Sequence, residues 1–316
     1  MREKSRFYQT SASGKVILIG EHAVVHGAQA VALPLSGIRM NLEMFFSDSE
    51  VEHSFFVRGK KLEKLSVRFQ DLLAKACALF GQDIFKASFR VQSDILIGSG
   101  LGSSAALCVG LLRLLSLYFE SILSEEDLAK MANTLEEAFH GFPSGLDTSV
   151  IAYEKPLIFE KGKKPLLCSF NWQNEKVGRS DFFPFVLVDT LERKETFTMV
   201  EKTRKIFASK KGAALLQRFD ALAKGLIKAL TTGNIFKASE ILMEAGSLLN
   251  DLGVVTQKAS QIAKEILDLG ALAVKITGSG GGGCLLALLD PRKREDQHQA
   301  LVDQFGTNAV FKAYSA

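Results

Sequence analysis

The spacing of apolar and polar residues predicts strands and helices that alternate along the whole chain. Short apolar runs and apolar–polar alternation predict strands at 16–19, 31–35, 38–46, 85–97, 185–190, 273–277, 284–289 and 309–313. The run at 31–35 contains Pro34, where we expect that strand to end. Apolar residues at helical spacing predict helices at 67–80, 105–119, 124–140, 196–232, 260–269 and 295–305, with a break near Gly212 in the fourth.

The other elements are arranged around one glycine-rich stretch. An apolar strand at 94–97 leads into Gly98-Ser99-Gly100-Leu101-Gly102-Ser103-Ser104-Ala105, and a helix follows. Glycines let the backbone approach an anion closely, and the N–H groups of a helix N-terminus favour negative charge. The stretch therefore predicts a phosphate-binding turn, whose serines cap the helix, donate to phosphate or bind Mg²⁺. A plain strand-to-helix turn with serine caps explains the same residues.

A second glycine-rich loop joins two predicted strands near the end of the chain. It reads Gly278-Ser279-Gly280-Gly281-Gly282-Gly283. A hairpin needs only one or two glycines, and each further glycine costs backbone entropy on folding. The excess favours a loop that touches a ligand or another loop, and a structural turn is the alternative.

Length and composition limit the classes of function. At 316 residues the chain is long enough for one large domain or two smaller ones, and we expect two. Hydrophobic residues make up 47% and charged residues 23%, as in a folded globular protein. The net charge of +4 is spread along the chain, with short basic clusters at 161–164 and 292–294. Because a nucleic-acid-binding protein concentrates its basic charge on one face, we expect no nucleic-acid partner.

Cysteine spacing and hydropathy predict a cytoplasmic protein. The four cysteines stand far apart and form no CxxC pair, which argues for reduced thiols and against a zinc site or a disulfide framework. The first six residues lead into no apolar segment of the kind found in secretory signals. The most apolar predicted helix, 105–119, contains Arg113 and is too short to cross a bilayer, so we expect no membrane association.

Three separate segments of the chain together indicate a family. The Walker sequence GxxxxGK[ST] and the protein-kinase pair HRD and DFG are both missing, and the central glycines do not fit GxGxxG. The segments 13–22, 100–106 and 276–284 instead resemble, in this order, the three motifs of the GHMP kinase superfamily of small-molecule kinases. This resemblance spans nearly the whole chain.

Within that superfamily the chain most resembles the mevalonate kinase family. The segment 20–27, GEHAVVHG, is similar to that family's motif, whereas galactokinases carry a GEHTDY-like sequence. Glu136 together with 140–147 is similar to the family's E-x-x-x-H-G-x-P-S-G-x-D segment. The departures are Ser13 for a usual proline, Ile19 for a frequent histidine and Lys194 for a usual arginine, of which the last bears on substrate contacts.

The resemblance implies an α+β, two-domain GHMP kinase fold. The N-terminal ATP-binding domain, at 1–180, would have a mixed sheet of the ribosomal S5 domain 2-like type. The C-terminal domain, at 181–316, would have a ferredoxin-like α+β sheet, and the active site would lie in the cleft between the domains. A left-handed strand–helix–strand crossover, an exception to the usual right-handed rule, is also implied.

The resemblance further implies that the protein is a transferase of the isoprenoid pathway, a kinase that uses ATP and Mg²⁺ to phosphorylate mevalonate to 5-phosphomevalonate. Gly98, Ser99, Gly100, Leu101, Gly102, Ser103, Ser104 and Ala105 would bind the nucleotide. Glu21, His22, His140, Ser144 and Thr277 would contact the substrate. The sequence is compatible with a homodimer but does not decide the oligomeric state.

Phosphoryl transfer needs a metal, charge compensation and an oriented hydroxyl, and four residues match these needs. Ser104 and Glu136 offer Mg²⁺ the oxygen ligands that it prefers. The proline, serine and glycine at 143–145 predict a turn at 143–149 that contains Asp147. Asp147 would accept the proton of the substrate hydroxyl, and Lys15 would offset the developing negative charge beside it. Taken singly, the charged residues of this set also fit a role as solvated surface groups.

Two other functions fit the same motifs. The first is another GHMP kinase that acts on a small alcohol such as phosphomevalonate or homoserine. The second is a ligand sensor without catalytic activity. A sensor would be expected to lose the base or the metal ligand, and both residue types are present in this chain.

Overall fold

The computed structural model describes residues 7–46, 51–62, 66–140, 143–170, 184–193 and 196–312. The strands are β1 (Phe7–Ile19), β2 (Ala30–Phe45), β3 (His53–Val57), β4 (Lys60–Lys61), β5 (Ser88–Ser93), β6 (Leu157–Phe159), β7 (Leu166–Leu167), β8 (Phe185–Asp189), β9 (Ala273–Ile276), β10 (Cys284–Leu288) and β11 (Val310–Lys312). The helices are α1 (Ser66–Leu79), α2 (Ser103–Tyr118), α3 (Glu125–His140), α4 (Leu146–Tyr153), α5 (Thr196–Phe207), α6 (Lys210–Thr231), α7 (Ile235–Asp251), α8 (Gln257–Asp268) and α9 (Arg294–Phe305), with a 3₁₀ turn at Val24–His26.

The chain divides into two compact units. The first unit consists of Met1–Gly14, Ile38–Ile97 and Gly102–Glu154, and the second of Lys15–Gly37, Gly98–Leu101 and Lys155–Ala316. The domain boundary predicted at 180/181 lies outside the described residues and stays a prediction.

The first unit contains a mixed sheet, as predicted. Strand β3 pairs with β5 in parallel, and β5 pairs antiparallel with Met40–Phe45 of β2. Helix α2 packs closely on this sheet, because a Cβ on Gly110 would lie 2.5 Å from Leu42 Cδ1. Helix α3 packs against both α2 and α4. Its N-terminus is capped by Ser124, whose Oγ accepts a hydrogen bond of 3.1 Å from the Asp127 N–H.

The second unit is built on a four-stranded antiparallel sheet in the order β11-β8-β10-β9. Every residue of β8, β9 and β10 is buried, and helices of this unit cover the sheet, α7 and α8 against β9 and α9 against β11. Strand β6 pairs with Ala30–Ala32 of β2 in the same unit. The α+β architecture agrees with the fold that the resemblance implies.

Several predicted strand boundaries were wrong. Strand β1 begins at Phe7 instead of at residue 16, and β5 begins at Ser88 instead of at residue 85. Strand β2 continues through Pro34. Pro34 lies between the stretch of β2 that pairs with β6 and the stretch that pairs with β5. Its missing N–H therefore leaves both of those pairings intact. Strand β5 ends at Ser93, so 94–97 is not a strand. Ser93 Oγ exchanges two hydrogen bonds of 3.0 Å with the N–H and carbonyl of Ile95, which diverts those backbone groups from the sheet.

The predicted helices agree more closely with the structure. The break expected near Gly212 separates α5 from α6 at residues 208 and 209. Gly212 lies in the first turn of α6, where a Cβ would lie 2.1 Å from the Phe207 carbonyl oxygen. Helix α7, which lies between two predicted helices, was not predicted from the sequence. In the described ranges, no helix combines the length and the apolar character needed to cross a membrane.

Candidate functional site

The two glycine-rich loops contact each other within the second unit. Gly100 has a φ of 81° and Gly278 a φ of 82°, values that favour glycine. A Cβ on Gly100 would lie 2.4 Å from the Thr277 carbonyl oxygen, and one on Gly278 would lie 2.7 Å from Gly100 Cα. The Cys284 N–H also donates to the Ser99 carbonyl at 2.9 Å. The excess of glycine in the second loop therefore allows it to approach the backbone of the predicted phosphate loop.

Lys15 is attached to the predicted phosphate loop at two points. It is buried in β1, where its backbone N–H donates to the Leu101 carbonyl at 3.0 Å. Its Nζ donates to the Gly100 carbonyl at 2.9 Å. Two hydrogen bonds therefore hold Lys15 against the segment Gly98–Leu101 in the second unit.

Glu21 and Lys275 form a buried ion pair in the same unit. Their side chains are each 1% exposed, and Lys275 Nζ donates both to Glu21 Oε1 and, at 2.7 Å, to the Ile276 carbonyl. Glu21 Oε2 is buried without a hydrogen-bond partner among the described residues. Burial raises the pKa of the Glu21 carboxyl and lowers the pKa of the Lys275 amino group, and the attraction between the two groups opposes both shifts.

Both ring nitrogens of His22 are hydrogen-bonded within the second unit. Nε2 lies 3.0 Å from the Ser279 carbonyl oxygen, and Nδ1 lies 3.0 Å from Thr203 Oγ1. Burial lowers the pKa of His22 to about 4, so the ring is neutral at neutral pH. Because a carbonyl only accepts, Nε2 carries the hydrogen and Nδ1 accepts from the Thr203 hydroxyl. The predicted substrate contact of His22 stays a prediction.

Thr277 joins the second glycine-rich loop to β1. Its Oγ1 accepts from the Ile17 N–H at 3.1 Å and lies 3.3 Å from the Ile17 carbonyl, to which it donates. The side chain is buried. The hydroxyl therefore fixes the start of the loop, and its predicted contact with substrate stays a prediction.

The predicted metal ligands meet in the first unit, where α2 packs against α3. Ser104, in the first turn of α2, donates from Oγ to Glu136 Oε1 at 3.0 Å, and Glu136 is buried. The described residues contain no group of three His, Cys, Asp or Glu side chains that could hold a metal ion by themselves. A buried carboxylate beside a hydroxyl suits Mg²⁺, which is commonly bound through one or two protein oxygens together with phosphate and water.

Asp147 lies in the first turn of α4, half-buried, rather than in the turn that the sequence predicted. Gly145 begins the helix with a φ of 87°, and Ser144 Oγ accepts from the Leu146 N–H at 3.2 Å. The glycine and the serine hydroxyl allow the helix to begin three residues after Pro143. His140 is the last residue of α3. Neither its side chain nor Lys194 is among the parts of the chain that the structure describes.

Two residues of this arrangement were not predicted from the sequence. Lys275 stands inside an apolar run, and a lysine in a buried strand is a signal that a charged partner is near. Thr203 is one of many hydroxyl residues on the predicted helices, and nothing in its spacing indicates a histidine partner. Its role depends on a contact across 181 positions of the sequence.

Comparisons with known proteins cover nearly all of this chain. The GHMP kinases N terminal domain family matches residues 68–155, and the GHMP kinases C terminal family matches residues 226–307. A mevalonate kinase of Thermococcus gammatolerans is 31% identical over 95% of this chain and 94% of that protein. One of Pyrococcus furiosus is 30% identical over 90% of each. The crystal structure of L. major mevalonate kinase in complex with R-mevalonate shares the fold, with a TM-score of 0.76 at 21% identity over 96% of this chain and 94% of that one.

Proposed function

Because the chain belongs to the mevalonate kinase family of the GHMP kinases, we propose that it transfers the γ-phosphoryl group of ATP to mevalonate, giving 5-phosphomevalonate and ADP. This reaction belongs to the mevalonate route to isoprenoids. The observation that carries the proposal is the likeness to named mevalonate kinases at about 30% identity over at least 90% of both chains. The packing of the two glycine-rich loops and the position of Lys15 support it.

The phosphates of ATP would be bound by the segment 98–105. Gly98–Leu101 offers backbone N–H groups at glycines with positive φ, and α2 begins directly after this segment with Gly102 at its N-cap. A helix N-terminus favours the negative charge of phosphate. The Nζ of Lys15, on the Gly100 carbonyl, would offset the charge that develops on the transferred group.

Asp147 would act on the hydroxyl of the substrate. In the proposed step, the alcohol oxygen of mevalonate bonds to the γ-phosphorus, and the bond from that phosphorus to the β,γ-bridging oxygen breaks to release ADP. The proton of the alcohol passes to the Asp147 carboxylate. Glu21, His22, His140, Ser144 and Thr277 would surround mevalonate, as the resemblance implies.

Ser104 and Glu136 would hold Mg²⁺ through the two oxygens that now share a hydrogen bond. When bound, the ion supplies positive charge to the phosphates of ATP. The buried position of Glu136 keeps its carboxylate in one orientation between two packed helices.

The substitution Glu136→Gln is expected to raise the Mg²⁺ concentration needed for half-maximal activity by about tenfold or more. It removes a charged oxygen ligand but keeps the shape of the side chain. The measurement is a Mg²⁺ titration at fixed ATP, accompanied by a direct Mg²⁺-dependent nucleotide-binding titration. Glu137→Gln is the matched control, because Glu137 is the next residue on α3 and is exposed. Equal Mg²⁺ requirements in the two variants would refute the assignment of Glu136 as a ligand.

The proposed function is tested by ADP release from the purified full chain with four alcohols. Mevalonate, phosphomevalonate, homoserine and galactose are offered under the same conditions. We expect kcat/KM for mevalonate to exceed the others by at least about 10²-fold, since a polar site rejects substrates that leave its groups unpaired. A higher kcat/KM for another of these alcohols would identify that alcohol, and not mevalonate, as the substrate. Nucleotide binding without ADP release from any alcohol would indicate a ligand sensor.

A further inference from the structure

We propose that Thr203 is a positioning residue for nucleotide binding, which holds the second glycine-rich loop against the phosphate loop through His22. This inference rests on the proposed function, because it assigns the segment Gly98–Leu101 to the phosphates of ATP. The four participating parts all lie in the second unit. They are α5, His22, the segment Gly98–Leu101 and the second glycine-rich loop.

The Thr203 hydroxyl has one hydrogen and three acceptors within reach. Its Oγ1 lies 3.0 Å from His22 Nδ1 and 3.0 Å and 3.2 Å from the carbonyl oxygens of Val200 and Met199. Those two carbonyls belong to α5, whose own backbone can supply them with donors. The buried lone pair on His22 Nδ1 faces the Thr203 hydroxyl. We therefore assign the hydroxyl hydrogen to the hydrogen bond from Thr203 to His22, which satisfies that acceptor.

This hydrogen bond decides which nitrogen of His22 carries the hydrogen. With Nδ1 as acceptor, Nε2 is the donor to the Ser279 carbonyl at 3.0 Å. The opposite tautomer would place two lone pairs against each other at that contact. His22 is held at a φ of 60°, a backbone conformation that costs free energy for a residue other than glycine and persists only where surrounding contacts impose it. Thr203 and Ser279 supply two of these contacts.

Ser279 lies within the loop that supports the phosphate-binding backbone. The residue before it, Gly278, approaches Gly100 so closely that an added Cβ would be 2.7 Å from Gly100 Cα. Further along the loop, the Gly281 N–H donates to the Val254 carbonyl at 2.7 Å. Because these contacts are between backbones, with no flexible side chain between them, movement of the Ser279 peptide passes to the Gly100 peptide and to Lys15 Nζ bonded there.

The test compares Thr203→Val with Thr203→Ser in the full-length chain. Valine keeps the shape of the side chain but cannot donate, and serine restores the hydroxyl. We expect the Kd for ATP and the KM for ATP to rise by about tenfold in Thr203→Val, the order expected when one buried hydrogen-bond acceptor is left unsatisfied. The Kd for ATP should rise by a larger factor than the KM for mevalonate, and Thr203→Ser should restore the wild-type Kd.

Ser239→Ala is the matched control. Ser239 is buried on α7, and its hydroxyl donates to the Phe236 carbonyl of its own helix at 2.7 Å. This variant loses a buried hydroxyl of the second unit without touching His22, so its Kd for ATP should equal that of the wild type. An equal loss of ATP affinity in Ser239→Ala and Thr203→Val would overturn the proposal, because general destabilisation would then explain both.

The ring of His22 provides a readout that needs no variant and no turnover. Nitrogen-15 chemical shifts of the wild-type ring at pH 7 should show hydrogen on Nε2 and a lone pair on Nδ1. Hydrogen on Nδ1 would overturn the proposal even if Thr203→Val did not fold. A rise in the KM for mevalonate with an unchanged Kd for ATP would also overturn it. If the wild type phosphorylates another alcohol, the proposed function fails while the comparison of ATP affinities stands.

Discussion

Asp147→Asn is expected to lower kcat by at least about 10²-fold, the usual contribution of a general base. Asparagine has nearly the shape of aspartate but cannot accept the proton that leaves the substrate alcohol. Gly145 begins this helix and Ser144 accepts from the Leu146 N–H, and both contributions to the start of α4 are kept when the Asp147 carboxylate is replaced. The loss should therefore fall on the chemical step, with the fold and the Kd for ATP unchanged.

The measurement is the single-turnover rate with mevalonate, together with the Kd for ATP. Asp127→Asn is the matched control, because Asp127 also lies in the first turn of a helix in the first unit. Its carboxylate accepts from Ser124 Oγ at 2.6 Å, so it has a capping role that asparagine can take over. Near-wild-type turnover in Asp147→Asn would show that Asp147 serves only the structure of the helix end.

Lys275→Met is expected to lower the free energy of unfolding by about 3–5 kcal/mol at pH 8, the usual cost of removing one partner of a buried ion pair. Both side chains of the pair are 1% exposed, so water does not replace the lost contact with Glu21. The remaining carboxylate would be buried with neither oxygen paired to a cation. We expect this loss to exceed that of any exposed ion pair in the described ranges.

The loss should shrink as the pH falls. In the variant, burial still raises the pKa of the Glu21 carboxyl and Lys275 no longer lowers it, so the pKa in the folded state lies above the unfolded value of 4.5. The unfolded chain releases this proton at lower pH than the folded chain does. Protonation of the Glu21 carboxyl therefore stabilises the folded variant fully below the unfolded pKa of 4.5. This stabilisation is lost as the pH rises through the higher pKa of the folded state.

Urea denaturation at pH 5 and pH 8 checks both statements. Lys237→Met is the matched control, because Lys237 pairs with Glu240 on the surface of α7 at 2.7 Å and an exposed ion pair contributes little to the free energy of unfolding. The double variant Lys275→Met/Glu21→Gln should be more stable at pH 8 than Lys275→Met alone, since it leaves no buried charge. If Lys275→Met and Lys237→Met unfold at the same urea concentration, the buried pair does not stabilise the fold.

The roles assigned to the candidate-site residues stay predictions, but the structure brings two of these residues into contact. Ser104 and Glu136 were assigned to one metal site, and their side chains share a hydrogen bond. Asp147 was expected in a turn and lies at the start of a helix, because the short segment after Pro143 contains the glycine that begins it. The mechanism assigned to these residues stays a proposal.

By itself, the sequence determined what depends on local backbone energetics. The glycines at 98, 100, 278 and 280 adopt positive φ, and Ser124 caps the helix that its sequence predicted. These features follow from the missing Cβ of glycine and from a hydroxyl within reach of its own helix end, so a few neighbouring residues suffice to predict them.

Only the tertiary structure decided which distant groups meet. Glu21 and Lys275 are separated by 254 positions, and His22 and Thr203 by 181. The apolar run around Lys275 signals that a charged partner is near but does not identify Glu21. Nothing local distinguishes Thr203 from other threonines as the donor to His22. The physical reason is that a buried charge or ring nitrogen is satisfied by whichever polar group the packed core brings within about 3 Å, and packing depends on the whole chain.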